Sequence, residues 1–364
     1  MPDILVFGAT GYTGKLVARE LAQRGASIVL AGRDRAKLET LAATTGDPEV
    51  RLASVGDVDG LVSALEDCRV LLTCVGPFSE LGWTAVEAAL RARVNYLDST
   101  GESSFVARLI GDYDEHARDA GIAMAPAMGF DEVPGDVAAT LAAERLERPE
   151  MILTYALPSS GSLGTVKSAL GILTTSGPWI RDGERVMIAP GQRTRWSPMP
   201  PPLGPKPAVS FPLANGELIP LHLDLRTLEL YVTIGTPQKL GLKFALPIFK
   251  SLHALPGARK AIERTVEVLK RAEGPDDKQR RAWWTILAEA RSGDRWRNVA
   301  LTGRDVYGLT ARLLAAAAMK MSQPSYDRTG VMAPVQAMDL DWLEKELLDG
   351  NCKIASYGPS DSGS

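Results

Sequence analysis

A short apolar run that passes directly into three spaced glycines constrains the fold of this chain more than any other feature. Residues 4–7 read Ile-Leu-Val-Phe, and residues 8–14 read Gly-Ala-Thr-Gly-Tyr-Thr-Gly. A continuous apolar run is typical of a strand buried on both faces of a parallel sheet. Residues 15–21 then have helical spacing, and Gly25 stands where a helix C-cap is expected. Strand, glycine turn and helix in this order predict a Rossmann-type α/β fold with a doubly wound parallel sheet.

The glycine turn also predicts a dinucleotide site. Glycines allow a tight turn and a close approach of backbone to a pyrophosphate, and the helix that follows points its free amides and positive dipole end at the phosphates. The spacing here is GxxGxxG, a variant of the better-known GxGxxG, and a turn used only for packing is the alternative. The residues predicted to hold the diphosphate are Gly8, Thr10, Gly11, Tyr12, Thr13 and Gly14.

The end of the second predicted strand, residues 27–32, indicates which nucleotide is bound. An NAD-preferring site usually places an acid there to hold the ribose hydroxyls, but this chain has Arg33, with Lys37 close behind. A guanidinium matches a phosphate in charge and hydrogen-bond geometry, so we expect NADP(H), with Arg33 and Lys37 near its 2′-phosphate. Two alternatives are that Asp34 holds the ribose and that these charges belong to a solvated helix start.

Strands and helices continue to alternate through residue 130, and further loops fall at the edge where ligands bind in parallel sheets. Asp57 either accepts a hydrogen bond from the adenine amine or caps a helix. The turn of Gly76, Pro77 and Phe78 is predicted to approach the ribose and nicotinamide. The strands predicted in this region are residues 51–55, 70–75, 95–98 and 122–126.

Length and composition exclude several classes of protein. The chain has 364 residues, which favours two domains, and its 45% hydrophobic and 23% charged residues are typical of a soluble globular protein. A net charge of -3 without a basic aromatic stripe argues against a nucleic-acid partner. No apolar run is long enough for a membrane span, since residues 313–319 are followed by Lys320.

Cysteine and histidine usage gives no sign of a metal site. Three cysteines are too few and too irregular for a disulfide framework or a zinc motif, and the three histidines, His116, His222 and His253, are scattered. The first strand follows Met1 after two residues, so we expect no signal segment and a cytoplasmic location.

The domain boundaries are predicted as residues 1–130 for the NADP-binding domain, 131–325 for a second α+β domain, 326–350 for a returning segment with a helix, and 351–364 for a flexible tail. The second domain is expected to be a mixed sheet with helices on one face. It contains a proline-rich stretch, residues 197–205, predicted as an exposed loop, with a substrate lid as the alternative. A basic helix at 257–271 either docks an acidic carrier protein or is a solvated face.

Taken in order, several segments of this chain resemble the saccharopine dehydrogenase-like oxidoreductases, and among these the trans-acting enoyl reductases of lipid and polyketide assembly. The resemblance implies NADPH-dependent hydride transfer, and for the enoyl reductases a carrier-bound substrate with an acyl-carrier or polyketide synthase partner. Other members act on C–N bonds, and a homodimer is left open. The segments are GATGYTG at 8–14, LAGRDRAKL at 30–38, VGPF at 75–78, YLDSTGE at 96–102, GFDEVPGD at 129–136, and further stretches at 160–165, 303–311 and 330–334.

Three residues are candidates for the chemistry. Glu102 and Asp131 lie in predicted loops at the sheet edge, and a carboxyl acts as an acid where burial raises its pKa. Tyr307 is a candidate oxyanion donor if it reaches inward. Their alternatives are turn or helix caps for the carboxylates and core packing for the tyrosine. The leading hypothesis is an NADPH-dependent enoyl reductase; a C–N oxidoreductase and an NADP-binding sensor without turnover are the alternatives.

Overall fold

The computed structural model describes residues 3–157, 175–234 and 282–358. The chain divides into two compact units, neither of which is continuous in sequence. Unit 1 comprises Met1–Val137, Glu217–His222 and Val306–Cys352, and unit 2 comprises Ala138–Gly216, Leu223–Asp305 and Lys353–Ser364.

Unit 1 is built on a seven-stranded sheet in which every neighbouring pair is parallel. Its strand order, β15-β6-β5-β4-β1-β2-β3, places β1 between β4 and β2, so the chain reverses direction across the sheet at β1. This confirms the predicted doubly wound sheet and puts the first glycine turn at the reversal point. The strands are β1 (Ile4–Phe7), β2 (Ile28–Gly32), β3 (Glu49–Leu52), β4 (Val70–Thr73), β5 (Asn95–Asp98), β6 (Ala123–Ala125) and β15 (Gly330–Val331).

Helices connect these strands and cover the sheet. On one face, Leu5 and Phe7 of β1 pack in a buried cluster with residues of the helices that follow β3, β4 and β5, because side chains of a strand alternate between its two faces. Among the described residues, no helix has the length and apolar content that crossing a bilayer requires. The helices are α1 (Tyr12–Gln23), α2 (Arg35–Ala42), α3 (Val58–Ala64), α4 (Phe78–Leu81), α5 (Trp83–Ala92), α6 (Ser103–Ala120), α7 (Val133–Ala143), α8 (Asn215–Leu218), α9 (Val306–Met321), α10 (Pro334–Met338) and α11 (Leu340–Asp349), with a 3₁₀ turn at Ile219–Leu221.

The carboxyl-terminal return is a larger part of unit 1 than the predicted boundary at residue 325 allows. Helix α9 packs against α1, and β15 extends the parallel sheet by pairing with β6. Residues 313–318 of α9 are buried without interruption, as expected for a helix that is covered on several sides. An apolar run of this kind is compatible with burial in either domain. The predicted assignment of α9 to the second domain therefore differs from the structure, in which α9 belongs to unit 1.

Unit 2 contains a nine-stranded mixed sheet, as predicted. Strands β12 and β7 are parallel, and the other pairs are antiparallel. Strands β13 and β14 form a hairpin, and residues 353–357, expected in a flexible tail, form the edge strand β16. The strands are β7 (Glu150–Ala156), β8 (Gly177–Arg181), β9 (Glu184–Ile188), β10 (Thr194–Ser197), β11 (Lys206–Ser210), β12 (Thr227–Thr233), β13 (Trp284–Ser292), β14 (Arg295–Gly303) and β16 (Lys353–Tyr357).

The proline-rich stretch packs against this sheet through two apolar side chains. Met199 is buried in a cluster with Ala156, Leu287 and Ala300, and Leu203 packs against the same cluster, so the prediction of an exposed loop is wrong at Met199. Burial of an apolar side chain is favourable, and the sequence gives no sign of it in a stretch dominated by prolines. The predicted turn at 160–165, the basic helix at 257–271 and the last six residues lie outside the described residues.

Candidate functional site

The first glycine turn folds back on β1 and β2. The Gly8 N–H donates to the Ala31 carbonyl over 3.0 Å, and the Gly11 N–H donates to the Gly8 carbonyl, also over 3.0 Å. Gly8 has a positive φ of 79°, and a Cβ there would lie 2.6 Å from Cγ2 of Val75, in the loop after β4. Glycine is therefore required both for the backbone conformation and for the approach of this neighbouring loop.

Gly14 brings helix α1 into contact with the turn itself. A Cβ at this position would lie 2.3 Å from the Gly8 carbonyl oxygen and 2.9 Å from the Ala9 Cα, so only hydrogen fits. The close packing of helix and turn sets the first amides of α1 directly beside the bend. This is the geometry by which a nucleotide-binding turn presents backbone to a diphosphate.

The amino terminus of α1 also lacks a side-chain cap, in contrast to the next two helices. Asp34 caps α2 by accepting the Lys37 N–H over 3.1 Å, and Asp57 caps α3 by accepting the Gly60 N–H over 2.9 Å. Gly11, the N-cap residue of α1, has no side chain with which to cap the helix, and the first turn of α1 contains no acidic residue. The amides and dipole of α1 are thus suited to an anion such as a diphosphate.

Arg33 lies just beyond β2, where the sequence places the phosphate-binding cation. It is exposed and has no hydrogen-bond or ion-pair partner within the described part of the chain. The Lys37 ammonium lies 2.9 Å from Asp34 Oδ2, and this hydrogen-bonded contact lowers the pKa of Asp34. Because Asp34 is committed to α2 and Lys37, its alternative role as a ribose ligand is disfavoured. The assignments of Arg33 and Lys37 to the phosphate, and of Asp57 to the adenine, stay predictions.

Glu102 holds the loop after β4. Its Oε1 accepts the Phe78 N–H over 2.9 Å, and its Oε2 accepts the Ser79 N–H over 3.0 Å and the Ser79 hydroxyl over 2.6 Å. The carboxylate therefore caps the short helix α4 and fixes the turn of Gly76 and Pro77 before it. These contacts match the alternative in which Glu102 is a helix cap. Its role as a catalytic acid stays a prediction.

Asp98 is a buried carboxylate that sequence reasoning missed. Its Oδ1 accepts the N–H of Thr100 over 2.8 Å and of Ala127 over 2.9 Å, and its Oδ2 accepts the Tyr96 hydroxyl over 2.6 Å. It thereby joins the loops that follow β5 and β6 at the carboxyl edge of the sheet. Burial raises the pKa of Asp98 to about 6. Its position at the end of a strand was the available signal, because a carboxylate there can accept amides from two loops.

Replacing Asp98 with asparagine is expected to change the pH dependence of stability. A folded-state pKa raised from 3.8 to about 6 favours folding fully below pH 3.8, and this contribution is lost as the pH rises through about 6. Asparagine keeps an oxygen for the two amides and does not ionise. We therefore expect the unfolding free energy of Asp98→Asn, relative to wild type, to increase by about 2–3 kcal/mol between pH 4 and pH 7.5 in urea titrations. A difference that is independent of pH would contradict this assignment.

The other two candidate catalytic residues lie in different surroundings. Asp131 is solvent-exposed on one side, yet surrounding protein limits its hydration and raises the pKa of its carboxyl to about 6. A Cβ on Gly101 would be 3.5 Å from Asp131 Oδ2, so the loops after β5 and β6 meet here. Tyr307, at the start of α9, packs edge-on against the Tyr12 ring with centroids 5.0 Å apart. Its packing role is observed, whereas the catalytic roles of both residues stay predictions.

The sequence of the glycine-turn region also matches a known protein family. Residues 4–124 match the family model of the saccharopine dehydrogenase NADP-binding domain. This match confirms the predicted cofactor, NADP(H), and the predicted resemblance. The chain is an NADP-dependent oxidoreductase.

The proteins to which this chain is similar fall into two groups. A probable mitochondrial saccharopine dehydrogenase-like oxidoreductase of Arabidopsis thaliana is 26% identical over 94% of this chain and 74% of that protein. Trans-acting enoyl reductases are 37% identical in Mycobacterium tuberculosis, over 37% of this chain and 34% of the relative, and 31% identical in Mycobacterium ulcerans, over 57% and 53%. The matches thus span between a third and about half of these enoyl reductases.

The fold comparison covers almost the whole chain. Apo saccharopine dehydrogenase (L-Glu forming) from Saccharomyces cerevisiae superposes with a TM-score of 0.66 over 99% of this chain and 100% of that chain. The two sequences are 14% identical, so the likeness concerns the fold. It supports the pairing of a parallel nucleotide-binding sheet with a second, mixed sheet.

Proposed function

We propose that this NADP-dependent oxidoreductase is an enoyl reductase that acts on an α,β-unsaturated thioester of a lipid- or polyketide-like chain. The proposal is carried by the similarity to trans-acting enoyl reductases, at 37% identity over 141 residues and at 31% over 226 residues. The family-model match, residues 4–124, covers the glycine turn, the start of α1 and Arg33.

The residues of unit 1 divide the binding task among them. Amides at the start of α1 hold the diphosphate, and the Arg33 guanidinium holds the 2′-phosphate. Glu102 fixes the turn of Gly76 to Phe78 so that its backbone lies against the ribose and nicotinamide. NADPH, when bound, supplies the hydride, and the protein supplies position, exclusion of water and a proton for the substrate carbon beside the carbonyl.

The proposed activity also implies a protein partner that carries the substrate. A trans-acting reductase receives its substrate from another protein, so we propose an acyl-carrier or polyketide synthase partner with a carrier-bound intermediate. A small-molecule thioester is the simpler alternative, and the cytoplasmic location and the homodimer stay predictions.

A C–N oxidoreductase is the second candidate, because the match to the Arabidopsis saccharopine dehydrogenase-like oxidoreductase covers 94% of this chain. In such an enzyme the same nicotinamide position would face an imine or a secondary amine. The residues that hold the cofactor are common to both candidates, so the substrate decides between them.

A substrate panel tests the proposal. We expect NADPH absorbance to fall when the protein receives enoyl thioesters on pantetheine or on an acyl carrier protein, with the saturated thioester as the product by mass spectrometry. Pairs of an amino acid and a keto acid should give no NADPH oxidation, and saccharopine should give no NADP⁺ reduction. The Gly14→Ala variant is the matched negative control. Turnover of the C–N substrates alone would establish the second candidate, and tight NADP binding without any turnover would favour the sensor.

A further inference from the structure

A short segment of unit 1, residues 217–222, runs along the edge of the sheet that carries the cofactor residues. At one end the Glu217 carboxylate lies 3.3 Å from the Ser103 hydroxyl, at the start of α6, which follows β5. At the other end the Leu221 carbonyl accepts the Gln336 side-chain amide over 3.2 Å, in α10, which follows β15. Since β5 and β15 are parallel, both contacts lie beyond the carboxyl ends of the strands, where ligands bind in such sheets.

This segment ends in a histidine that is paired with a buried carboxylate. His222 Nε2 lies 2.7 Å from Asp136 Oδ1, and Asp136 Oδ2 accepts the Val335 N–H over 2.9 Å. The Asp136 side chain is 0% exposed and the His222 side chain 10% exposed. No hydrogen bond to His222 Nδ1 occurs within the described residues. One ring nitrogen is therefore fixed and the other is left for a bound molecule.

An imidazole held in this way is suited to proton transfer. A buried carboxylate at one ring nitrogen sets the orientation and tautomer of the ring. A purely structural tether is the alternative. However, Gln336 also ties α10 to the segment, because its side chain contacts both the Leu221 carbonyl and the Ala333 N–H. The pair is thus not needed to connect α10 to the segment.

We infer that His222, positioned by Asp136, is the residue that delivers the proton in this reduction. The inference rests on the proposed function. Hydride from bound NADPH adds its electron pair to the β-carbon of the enoyl thioester, which leaves NADP⁺ and an enolate. The imidazolium N–H of His222 then breaks as a C–H bond forms at the α-carbon. The neutral imidazole regains its proton from water, so one NADPH and one proton are consumed for each saturated thioester.

The test uses a 2-methyl-branched enoyl thioester, whose reduced product has a stereocentre at the protonated carbon. Wild-type protein should give one enantiomer. In His222→Gln and His222→Asn we expect kcat to fall about 100-fold. The product should approach a racemate, because water protonates the enolate on either face. The Kd for NADPH, measured by fluorescence titration, should change less than twofold. Thermal unfolding identifies the variant that remains folded.

Rescue and comparison variants separate a chemical role from a structural one. Imidazole should restore part of the turnover of His222→Ala, whereas pyrazole, which has the same shape but is a much weaker base, should not. Asp136→Asn should lower kcat about tenfold with the KM of the thioester unchanged, because it misorients the imidazole. Asp131→Asn tests the competing donor, since loss of the single enantiomer in this variant but not in the His222 variants would assign the proton to Asp131 instead.

Two failures are distinguishable. If wild-type protein reduces the thioester and the folded His222 variants keep its kcat and its stereochemistry, the assignment of the proton donor is wrong while the proposed function stands. If wild-type protein does not reduce enoyl thioesters at all, the proposed function is wrong and this assignment falls with it.

Discussion

Replacing Gly14 with alanine is expected to weaken NADPH binding at least 100-fold and to abolish turnover. The new Cβ would lie 2.3 Å from the Gly8 carbonyl oxygen and 2.9 Å from the Ala9 Cα, both of which are backbone atoms that cannot rotate away. Helix α1 would have to move off the turn, and its first amides would move with it. Because those amides are proposed to hold the diphosphate, which both nucleotides share, the loss should be equal for NADPH and NADH in calorimetric titrations.

Two other glycines serve as controls for this substitution. Gly111 lies in α6, where an added Cβ meets no atom within 4 Å, so Gly111→Ala should keep the Kd and stabilise the helix by up to about 1 kcal/mol. At Gly11 the nearest atom to an added Cβ is the Gly8 carbonyl oxygen at 3.3 Å, so Gly11→Ala should have an intermediate effect. If folded Gly14→Ala bound NADPH as tightly as wild type, the turn would have only a packing role.

Replacing Arg33 with aspartate is expected to reverse the choice of nucleotide. Arg33 is exposed and has no partner in the described residues, so its removal breaks no internal contact. Loss of its charge-assisted hydrogen bonds to the 2′-phosphate should cost about 3 kcal/mol, or roughly 100-fold in the Kd for NADPH. The Kd for NADH should stay level or improve, because a carboxylate at this position can hold the ribose hydroxyls.

The neighbouring cation Arg35 provides the matched control. Its guanidinium lies 3.8 Å from Glu39 on the exposed face of α2, so Arg35→Asp alters the net charge equally. We expect it to change the Kd for NADPH by only a few-fold, since exposed charges are screened by salt. Equal losses for NADPH and NADH in Arg33→Asp would show that Arg33 does not contact the distinguishing phosphate.

The parts of the fold that could be predicted are those specified by neighbouring residues. The glycine turn identified the first domain because strand, turn and helix are consecutive in the sequence. The assignment of α9 to the second domain was wrong because its apolar run is equally suited to either core. Strand β16 was missed because residues 353–357 are mostly polar and gain their order from pairing with β14.

Within the candidate site, the sequence is informative about helix caps and uninformative about carboxylates whose partners are distant in the chain. The alternatives for Asp57 and Glu102 included the caps that the structure shows, since capping depends on local spacing. The role of Asp98 depends on Ala127, 29 residues away, and Asp136 meets His222 across 86 residues. Spacing in the sequence does not predict contacts between residues so far apart in the chain. The three histidines indicate only that a zinc site is improbable.

The interleaving of the two units has a consequence for synthesis on the ribosome. Strand β15 and helix α9 come from the last sixth of the chain, yet they complete the sheet and the helical layer around β6 and α1. A nascent chain that has emerged only as far as α7 therefore exposes the edge of β6 and the apolar side of α1 to solvent. Chaperone binding, or early association with another chain, would be most consequential during that interval, and a fragment cut after residue 137 would inherit the same unpaired edge.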